Sequence, residues 1–272
     1  MPPLPCGRHL ALASAHDDAD APCGADVWPA AATLCRWQRD FGRPLLSGAS
    51  VLELGAGTGV CGLYAAGAGA ARVTLTDRPE LLALLRRNAD TNAELFRAQG
   101  GVTGAAPACS VEVATLDWGA ALSSDAADAA DAADAADAPD APDAPNAPPT
   151  FLISALSTAR TRPLDLVLAS DVTYADETHE ALAATLAALL SAQAPPPRVI
   201  LSHEHRSARR GFGKPLARWD AADGTLAHFR AAAERRGLRL SLLHAERPVS
   251  EVKGAFRRWT ADVSVIEVER SP

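Results

Sequence analysis

The sequence predicts an α/β domain built on a largely parallel sheet, and three observations predict it. Apolar strand-like runs alternate with helical runs from Val51 to Arg236, the alternation that places helices on both faces of a parallel sheet. Leu164 to Ala169 is almost continuously apolar, as a strand covered on both faces must be. Gly55, Gly57 and Gly59 occupy alternate positions between a short apolar strand, Val51 to Leu54, and a helical run that begins at Val60. A glycine turn there lets backbone approach a ligand, and the helix behind it presents free N–H groups.

The elements follow in order. Residues 1–24 are rich in Pro, Ala and Asp without periodicity, which predicts a disordered arm. From 25 to 270 the pattern is that of one domain. Pro29 suits the first turn of a helix running to Phe41, with Leu34, Trp37 and Phe41 at core-facing spacing. Arg72 to Thr76 is a second strand ending at Asp77, and the helix begun by Pro79 carries Leu81, Leu82, Leu84, Leu85 and Asn88 on one side. Val111 to Leu116 alternates as a third strand and ends in Asp117-Trp118-Gly119. Leu164 to Ala169 is the fourth strand, closing on Ser170-Asp171-Val172-Thr173-Tyr174, and a helix spans about Glu177 to Ser191. Arg198 to Ser202 is the fifth strand and leads into His203-Glu204-His205-Arg206. After a helix from Thr225 to Arg236, two alternating runs, Leu238 to His244 and Thr260 to Val268, fit an antiparallel hairpin.

One stretch departs from the pattern. Between about 124 and 149 the chain repeats Asp-Ala-Ala and then Asp-Ala-Pro. A period of three cannot present one apolar helical face, which needs ~3.6 residues. The tract is expected to be a disordered insertion, its Pro-bearing part extended. It also explains the charge. The chain has 26 basic and 33 acidic residues, a net charge of −7. Seven of the acids are the Asp residues from Asp125 to Asp143, and with those set aside the remainder balances. No broad basic surface suggests nucleic acid as a partner. Cys6, Cys23, Cys35, Cys61 and Cys109 show neither a C-x-x-C nor a metal-ligand spacing with His, which points to a reducing compartment. Met1 to Ala21 holds no apolar run of signal length, and no stretch approaches the ~20 apolar residues of a membrane span. A soluble, intracellular protein is the expectation.

The glycine loop admits two cofactors. Gly57-x-Gly59-x-x-Gly62 fits the dinucleotide pattern, with Asp77 placed 20 residues on for a ribose. Glu53, however, precedes the glycines on the same strand. A carboxylate there suits the cationic methionine end of S-adenosyl-L-methionine and would repel a pyrophosphate. Several residues have a plain alternative role. Trp28 could staple the first helix, Asp77 and Asp171 could cap helices, and Trp118 could close the edge of the core. His203 and His205 alternate at a strand end and could hold a metal, although such residues are more often solvated or satisfied within a core.

From Val27 to Val268 the chain resembles methyltransferase family 16, the seven-strand protein-lysine methyltransferases of the class I fold. The resemblance rests on Val27-Trp28, Glu53-Leu54-Gly55-Ala56-Gly57-Thr58-Gly59, Thr76-Asp77, Leu116-Asp117-Trp118-Gly119, Asp171-Val172-Thr173-Tyr174, Glu204-x-Arg206 and the helix from Phe229 to Gly237. It implies a Rossmann-like sheet of order 3-2-1-4-5-7-6 with strand seven antiparallel. It implies S-adenosyl-L-methionine as cofactor and no metal. Trp28, Glu53, Gly55, Ala56, Gly57, Gly59, Asp77, Trp118 and Ser170 then become cofactor-binding residues, and Asp171 and Tyr174 catalytic ones. A protein substrate methylated on lysine, a monomeric state, and a cytoplasmic location extending to the nucleus are implied as well, with no membrane or nucleic-acid partner. The Asp-Ala tract and the basic loop from Arg206 to Arg218 depart from the family pattern and leave specificity open. A nicotinamide-dependent oxidoreductase and a non-catalytic module of the same fold are the alternatives. The first lacks an evident Tyr-x-x-x-Lys pair, and the second leaves Asp171 and Tyr174 without a role.

Methyl transfer from a sulfonium is an in-line displacement, so the protein's main task is to hold the nucleophile behind the methyl group. A lysine amine must arrive neutral against a solution pKa of ~10.4. Asp171, at the carboxyl end of the fourth strand beside the sheet's switch point, is placed to orient the ammonium and receive its proton. Tyr174 can line the lysine channel with its ring.

Overall fold

The computed structural model describes residues 1–14, 22–97, 100–101, 104–105, 109–118, 163–205, 224–246 and 262–272. The insertion at 124–149, Gly119 and the basic loop from Arg206 to Arg218 lie outside these residues. The principal sheet has seven strands: β1 (Ser50–Leu54), β2 (Arg72–Asp77), β3 (Ser110–Thr115), β4 (Leu166–Ser170), β5 (Arg198–His205), β6 (Leu238–Glu246) and β7 (Asp262–Arg270). Their spatial order is 3-2-1-4-5-7-6. Strands β1 to β5 pair in parallel, and β7 runs antiparallel to both β5 and β6. This is the order implied by the family resemblance, and the terminal hairpin is present with β7 inserted between β5 and β6.

Among the described residues, the longer helices that cover the sheet are α1 (Pro29–Trp37), α2 (Val60–Gly67), α3 (Leu82–Arg97), α4 (His179–Ser191) and α5 (Gly224–Arg235). Strand alternation divides the core in two. Val51, Leu168, Ile200 and Val265 point to the layer containing α1, α2 and α3. Leu52, Leu54, Val167, Ala169, Val199, Leu201 and Ile266 point to the layer of α4 and α5. The switch point lies between β1 and β4, whose connecting helices leave on opposite faces, and a crevice opens there at the carboxyl ends of the strands.

Two expectations are corrected. Phe41, placed by periodicity on the core face with Leu34 and Trp37, is 59% exposed and touches His244. The cause is a π-helical stretch, Gln38–Gly42, that follows α1 directly. Its wider turn rotates the register, so Gln38 becomes the buried residue and donates to the Cys61 carbonyl at 3.3 Å. The amino-terminal arm, expected to be disordered, is fastened to the fold over its described residues. Leu4 is 2% exposed within the core around α2, and the Tyr64 hydroxyl donates to the Pro3 carbonyl at 3.1 Å. Composition reports how much apolar surface a segment has, and here a leucine in a fitted site, with Leu10 and Leu12 packed against the core, docks it.

Candidate active site

The glycine loop is built by backbone necessity. Gly55, Gly57 and Gly59 have φ of 58°, 55° and 78°, the left-handed region that side chains disfavour. Space forbids a side chain at two of them as well. A Cβ at Gly57 would stand 2.5 Å from the Gly24 carbonyl oxygen, and one at Gly55 would stand 2.7 Å from Val172 Cγ1 and 3.2 Å from the Trp118 ring. Gly55 is therefore where the loop, Trp118 and the Asp171–Tyr174 turn close on one another.

Two carboxyl groups hold the loop from below. Glu53 shares the face of Val51 and lies under α2, where its Oε2 accepts the Gly62 N–H at 2.7 Å. Gly62 has no room for a Cβ, because Glu53 Oε2 would be 2.6 Å and Leu75 Cδ2 2.4 Å away. Glu53 is 1% exposed, and burial pushes its carboxyl up to about 8, opposed by the Gly62 hydrogen bond and aided by the charge of Asp77. Asp77, at the end of β2, accepts the Gly57 N–H at 2.7 Å and the Arg78 N–H at 2.8 Å. Burial raises its pKa, and these two hydrogen bonds oppose the rise. Each of its oxygens keeps a lone pair for a ligand hydroxyl.

Across the crevice stands the Asp171–Tyr174 turn. Asp171 is the single described non-glycine residue with positive φ, at 55°. It is 7% exposed and is held on β5. Its N–H donates to the Ser202 carbonyl at 2.8 Å, and its Oδ1 accepts the Glu204 N–H at 3.3 Å. The helix-cap alternative does not hold, because a 3-10 turn at Asp176–Thr178 intervenes and Thr178 takes the cap position of α4. Thr173 secures the same turn. Its Oγ1 is 2.7 Å from His203 Nδ1, and its carbonyl accepts from His179 Nε2 at 3.2 Å. His205 Nε2 meets Ser264 Oγ at 2.8 Å, and its ring stacks edge-on with His203. Each strand-end histidine thus has one ring nitrogen bonded within the core. Among the described residues no group of three or more His, Cys, Asp or Glu could hold a metal.

Together these parts enclose a cavity of about 480 Å³, within the size range of small-molecule sites. It is lined by Trp28, Glu53, Gly55, Ala56, Gly57, Asp77, Trp118, Ser170, Asp171 and Tyr174, so ten of the eleven site residues expected from the sequence converge on it. Gly59 does not line it. A Cβ there would turn back into Leu85 and Leu75 at 2.9 and 3.1 Å, so this glycine caps α2 from behind. Trp28 precedes α1, and its Nε1 donates to the Cys23 carbonyl at 3.0 Å. The Ser202 hydroxyl lies 3.2 Å from Ser170 Oγ. Tyr174, 46% exposed, stands at the mouth. Cys23, Gly24, Asp26, Arg78 and Glu177 also line the cavity. Sequence reasoning passed over them. Adjacency to Asp77 was the available signal for Arg78, whereas Gly24 gave none, since its packing on Gly57 is a tertiary contact.

The cavity passes three tests of fit to S-adenosylmethionine. Trp118 Nε1 is a buried donor without a partner among the described residues, beside the space an adenine would fill. Gly55 and Gly57 let Val172, Trp118 and Gly24 close around the cavity only because they lack Cβ atoms. Acidic Asp26, Glu53, Asp77, Asp117, Asp171 and Glu177 face one cation, Arg78, around the lining, which suits a cationic ligand.

Fold and crevice define a seven-strand nucleotide-cofactor enzyme fold with its site at the β1/β4 switch point. The profile of the family described as lysine methyltransferase matches residues 10–138 and 154–214, and the chain belongs to that family. Among curated proteins, it is 40% identical over 95 residues to protein N-lysine methyltransferase METTL21A of Danio rerio, covering 35% of this chain and 38% of the relative. It is 37% identical over 91 residues to EEF1A lysine methyltransferase 3 of Xenopus tropicalis, covering 32% and 38%. These matches span less than half the length of either relative. Among solved structures, magnesium protoporphyrin IX methyltransferase from Synechocystis, with bound SAH, aligns over 89% of this chain and 82% of its own at 17% identity and a TM-score of 0.46.

Proposed function

We propose that this protein transfers a methyl group from S-adenosyl-L-methionine to a lysine amine of a protein substrate. The observation that carries this is Asp171, held in a left-handed conformation at the end of β4, facing the glycine loop and leading to the exposed Tyr174 at the cavity mouth. Gly55, Ala56 and Gly57 would carry the nucleoside, Asp77 the ribose, and Trp28 and Trp118 the flanks. The cofactor supplies an electrophilic methyl on a cationic sulfur.

The chain's own residues do the rest. Glu53, its carboxyl pushed up to about 8 by burial, would ionise against the cationic amino-acid end and so gain a partner for an otherwise unfavourable buried charge. Asp171 orients the incoming ammonium, draws its proton toward solvent and leaves a lone pair aimed at the methyl. Tyr174, half exposed, borders the approach with its ring and directs the amine with its hydroxyl. Val172 and Trp118 close over Gly55 and keep water from the reacting atoms.

The nicotinamide alternative meets a physical obstacle in the loop. A dinucleotide pyrophosphate uses the free N–H groups of the loop and helix start, but Gly62 N–H is given to Glu53 and Gly57 N–H to Asp77. As parts of the same proposal, the protein acts as a monomer in the cytoplasm and nucleus, on protein and not on nucleic acid or membrane. Among the described residues no helix is long and apolar enough to cross a membrane.

The test has two arms. Calorimetry should show binding of S-adenosylhomocysteine and none of NAD. Incubation of the protein with labelled S-adenosylmethionine and a cell lysate should yield a product whose label mass spectrometry places on a lysine. NAD binding without adenosylhomocysteine binding overturns the cofactor, and label on histidine or arginine overturns the lysine.

A further inference from the structure

The amino-terminal segment lies in a groove that reads peptide backbone. Asn92 Oδ1 accepts the Ala11 N–H at 2.9 Å, and its Nδ2 donates to the Ala11 carbonyl at 2.7 Å. One turn earlier on α3, Asn88 Oδ1 accepts the Ala13 N–H at 2.7 Å, and its Nδ2 donates to the Ala13 carbonyl at 3.1 Å. The spacing is matched. Four residues of helix rise ~6 Å, and two residues of extended chain span ~6.6 Å. Side chains of the segment take no part in this ladder. Leu4 supplies the apolar anchor, in a site that exists because Gly67 lacks a Cβ, which would stand 2.6 Å from Leu4 Cδ2.

The ladder is joined to the cofactor cavity. The second donor of Asn88 Nδ2 goes to the Thr58 carbonyl of the glycine loop at 2.9 Å, and the second donor of Asn92 goes to the Asn88 carbonyl at 2.8 Å. Both Nδ2 donors of each amide are committed, and both side chains are buried. Lifting the strap would remove two of the three side-chain hydrogen bonds that Asn88 makes to Ala13 and Thr58, and leave its bond to Thr58 without their support. We propose that residues 3–13 are a strap whose docking on Asn88 and Asn92 sets the glycine loop, so that strap docking and cofactor binding favour each other. The inference rests on the cofactor reading of the cavity, and its coupling can be tested without any ligand.

The experiment is amide hydrogen exchange on the full-length chain and its Leu4→Ser variant. In the absence of ligand, the variant should exchange faster at Ala11 and Ala13 and, by ~10-fold, at Gly57 and Gly59, while Leu168 and Leu201 in the sheet are unchanged. Adenosylhomocysteine affinity should fall by ~3- to 10-fold, and by reciprocity adenosylhomocysteine should protect Ala11 and Ala13 in the parent protein. Leu4→Met should restore the parent behaviour. Faster strap exchange with Gly57 and Gly59 unaltered overturns the proposal. So does a uniform rise that includes Leu168 and Leu201, unless Asn92→Ser, which keeps the leucine anchor, produces the loop-selective pattern. If the parent binds no adenosylhomocysteine, the cofactor reading falls, and the ligand-free comparison still decides the coupling.

Discussion

The two banks of the crevice use positive φ in opposite ways. On the β1 bank, three glycines adopt it at φ of 58°, 55° and 78°, where the missing side chain makes the conformation cheap and lets neighbouring residues pack against the loop. On the β4 bank, Asp171 adopts it at 55° with its side chain intact, a conformation that costs a non-glycine residue of order 1 kcal/mol. The first bank is a cradle made of absence, held by Glu53 and Asp77 from beneath. The second is a presented functional group, held by Ser202, Glu204, His203 and His179. Binding and chemistry should therefore separate by bank.

The largest effect is expected on the glycine bank. Gly57→Ala adds a Cβ 2.5 Å from the Gly24 carbonyl, at a φ that alanine resists. Adenosylhomocysteine affinity should fall by ~100-fold or more in calorimetry, with a lower melting temperature, since both the loop and the segment lying on it must shift. Unchanged affinity would show that the cradle is not where the nucleoside lies.

On the opposite bank, Asp171→Asn is a clean test because asparagine tolerates the left-handed region as well as aspartate does. The fold and adenosylhomocysteine affinity should be retained, and turnover on the identified substrate should fall by ~100-fold. If activity merely tracked the folded fraction, Asp171 would be a structural residue of the β4–β5 seam. The two banks would then no longer divide binding from chemistry.

The banks also differed in legibility. The glycine bank is written in local spacing. Gly55, Gly57 and Gly59 announce a turn in any context, and Asp77 follows at the end of the next strand. The roles within it were less visible. Nothing in the spacing says that Gly59 faces away from the cavity, or that the Glu53 side chain caps α2 nine residues later. The Asp171–Tyr174 bank was less legible from spacing, because its supports on β5 are 30 or so residues away in sequence. Phe41 failed because a π-helical stretch breaks the period that placed it. Leu4 failed because a docked strap of Pro and Ala looks like a free one until its groove is seen.

A pH titration should show the smaller effect of the glycine bank's buried acid. With its carboxyl pushed up to about 8, Glu53 is about one-tenth ionised at pH 7 and half ionised at pH 8. If the ionised form receives the cationic end of the ligand, S-adenosylmethionine affinity should rise about fivefold between pH 7 and 8 and level off above. The sign for stability is opposite. A raised carboxyl binds more protons in the folded than in the unfolded chain, so the ligand-free protein loses stability as pH rises from the ordinary carboxylate range through about 8. Glu53→Gln, which can still accept from Gly62, should flatten both trends. The difference between the two proteins removes the ligand's own titration.

The smallest effect belongs to the mouth. Tyr174 is 46% exposed, and burial of the remainder raises its pKa further above neutrality, so it works as a neutral hydroxyl and a ring. Tyr174→Phe removes the hydroxyl alone. An exposed hydrogen bond contributes ~1 kcal/mol, so turnover should fall by about fivefold at most, while melting temperature and adenosylhomocysteine affinity stay at parental values. Tyr174→Ala removes the ring as well and should cut turnover further, through a raised KM, because the lysine stem loses the surface that guides it. If Tyr174→Phe instead matched the loss seen in Asp171→Asn, the tyrosine hydroxyl would be handling the amine proton. The functional group on the β4 bank would then be the half-exposed residue at its rim, and the strain at Asp171 would serve to place Tyr174.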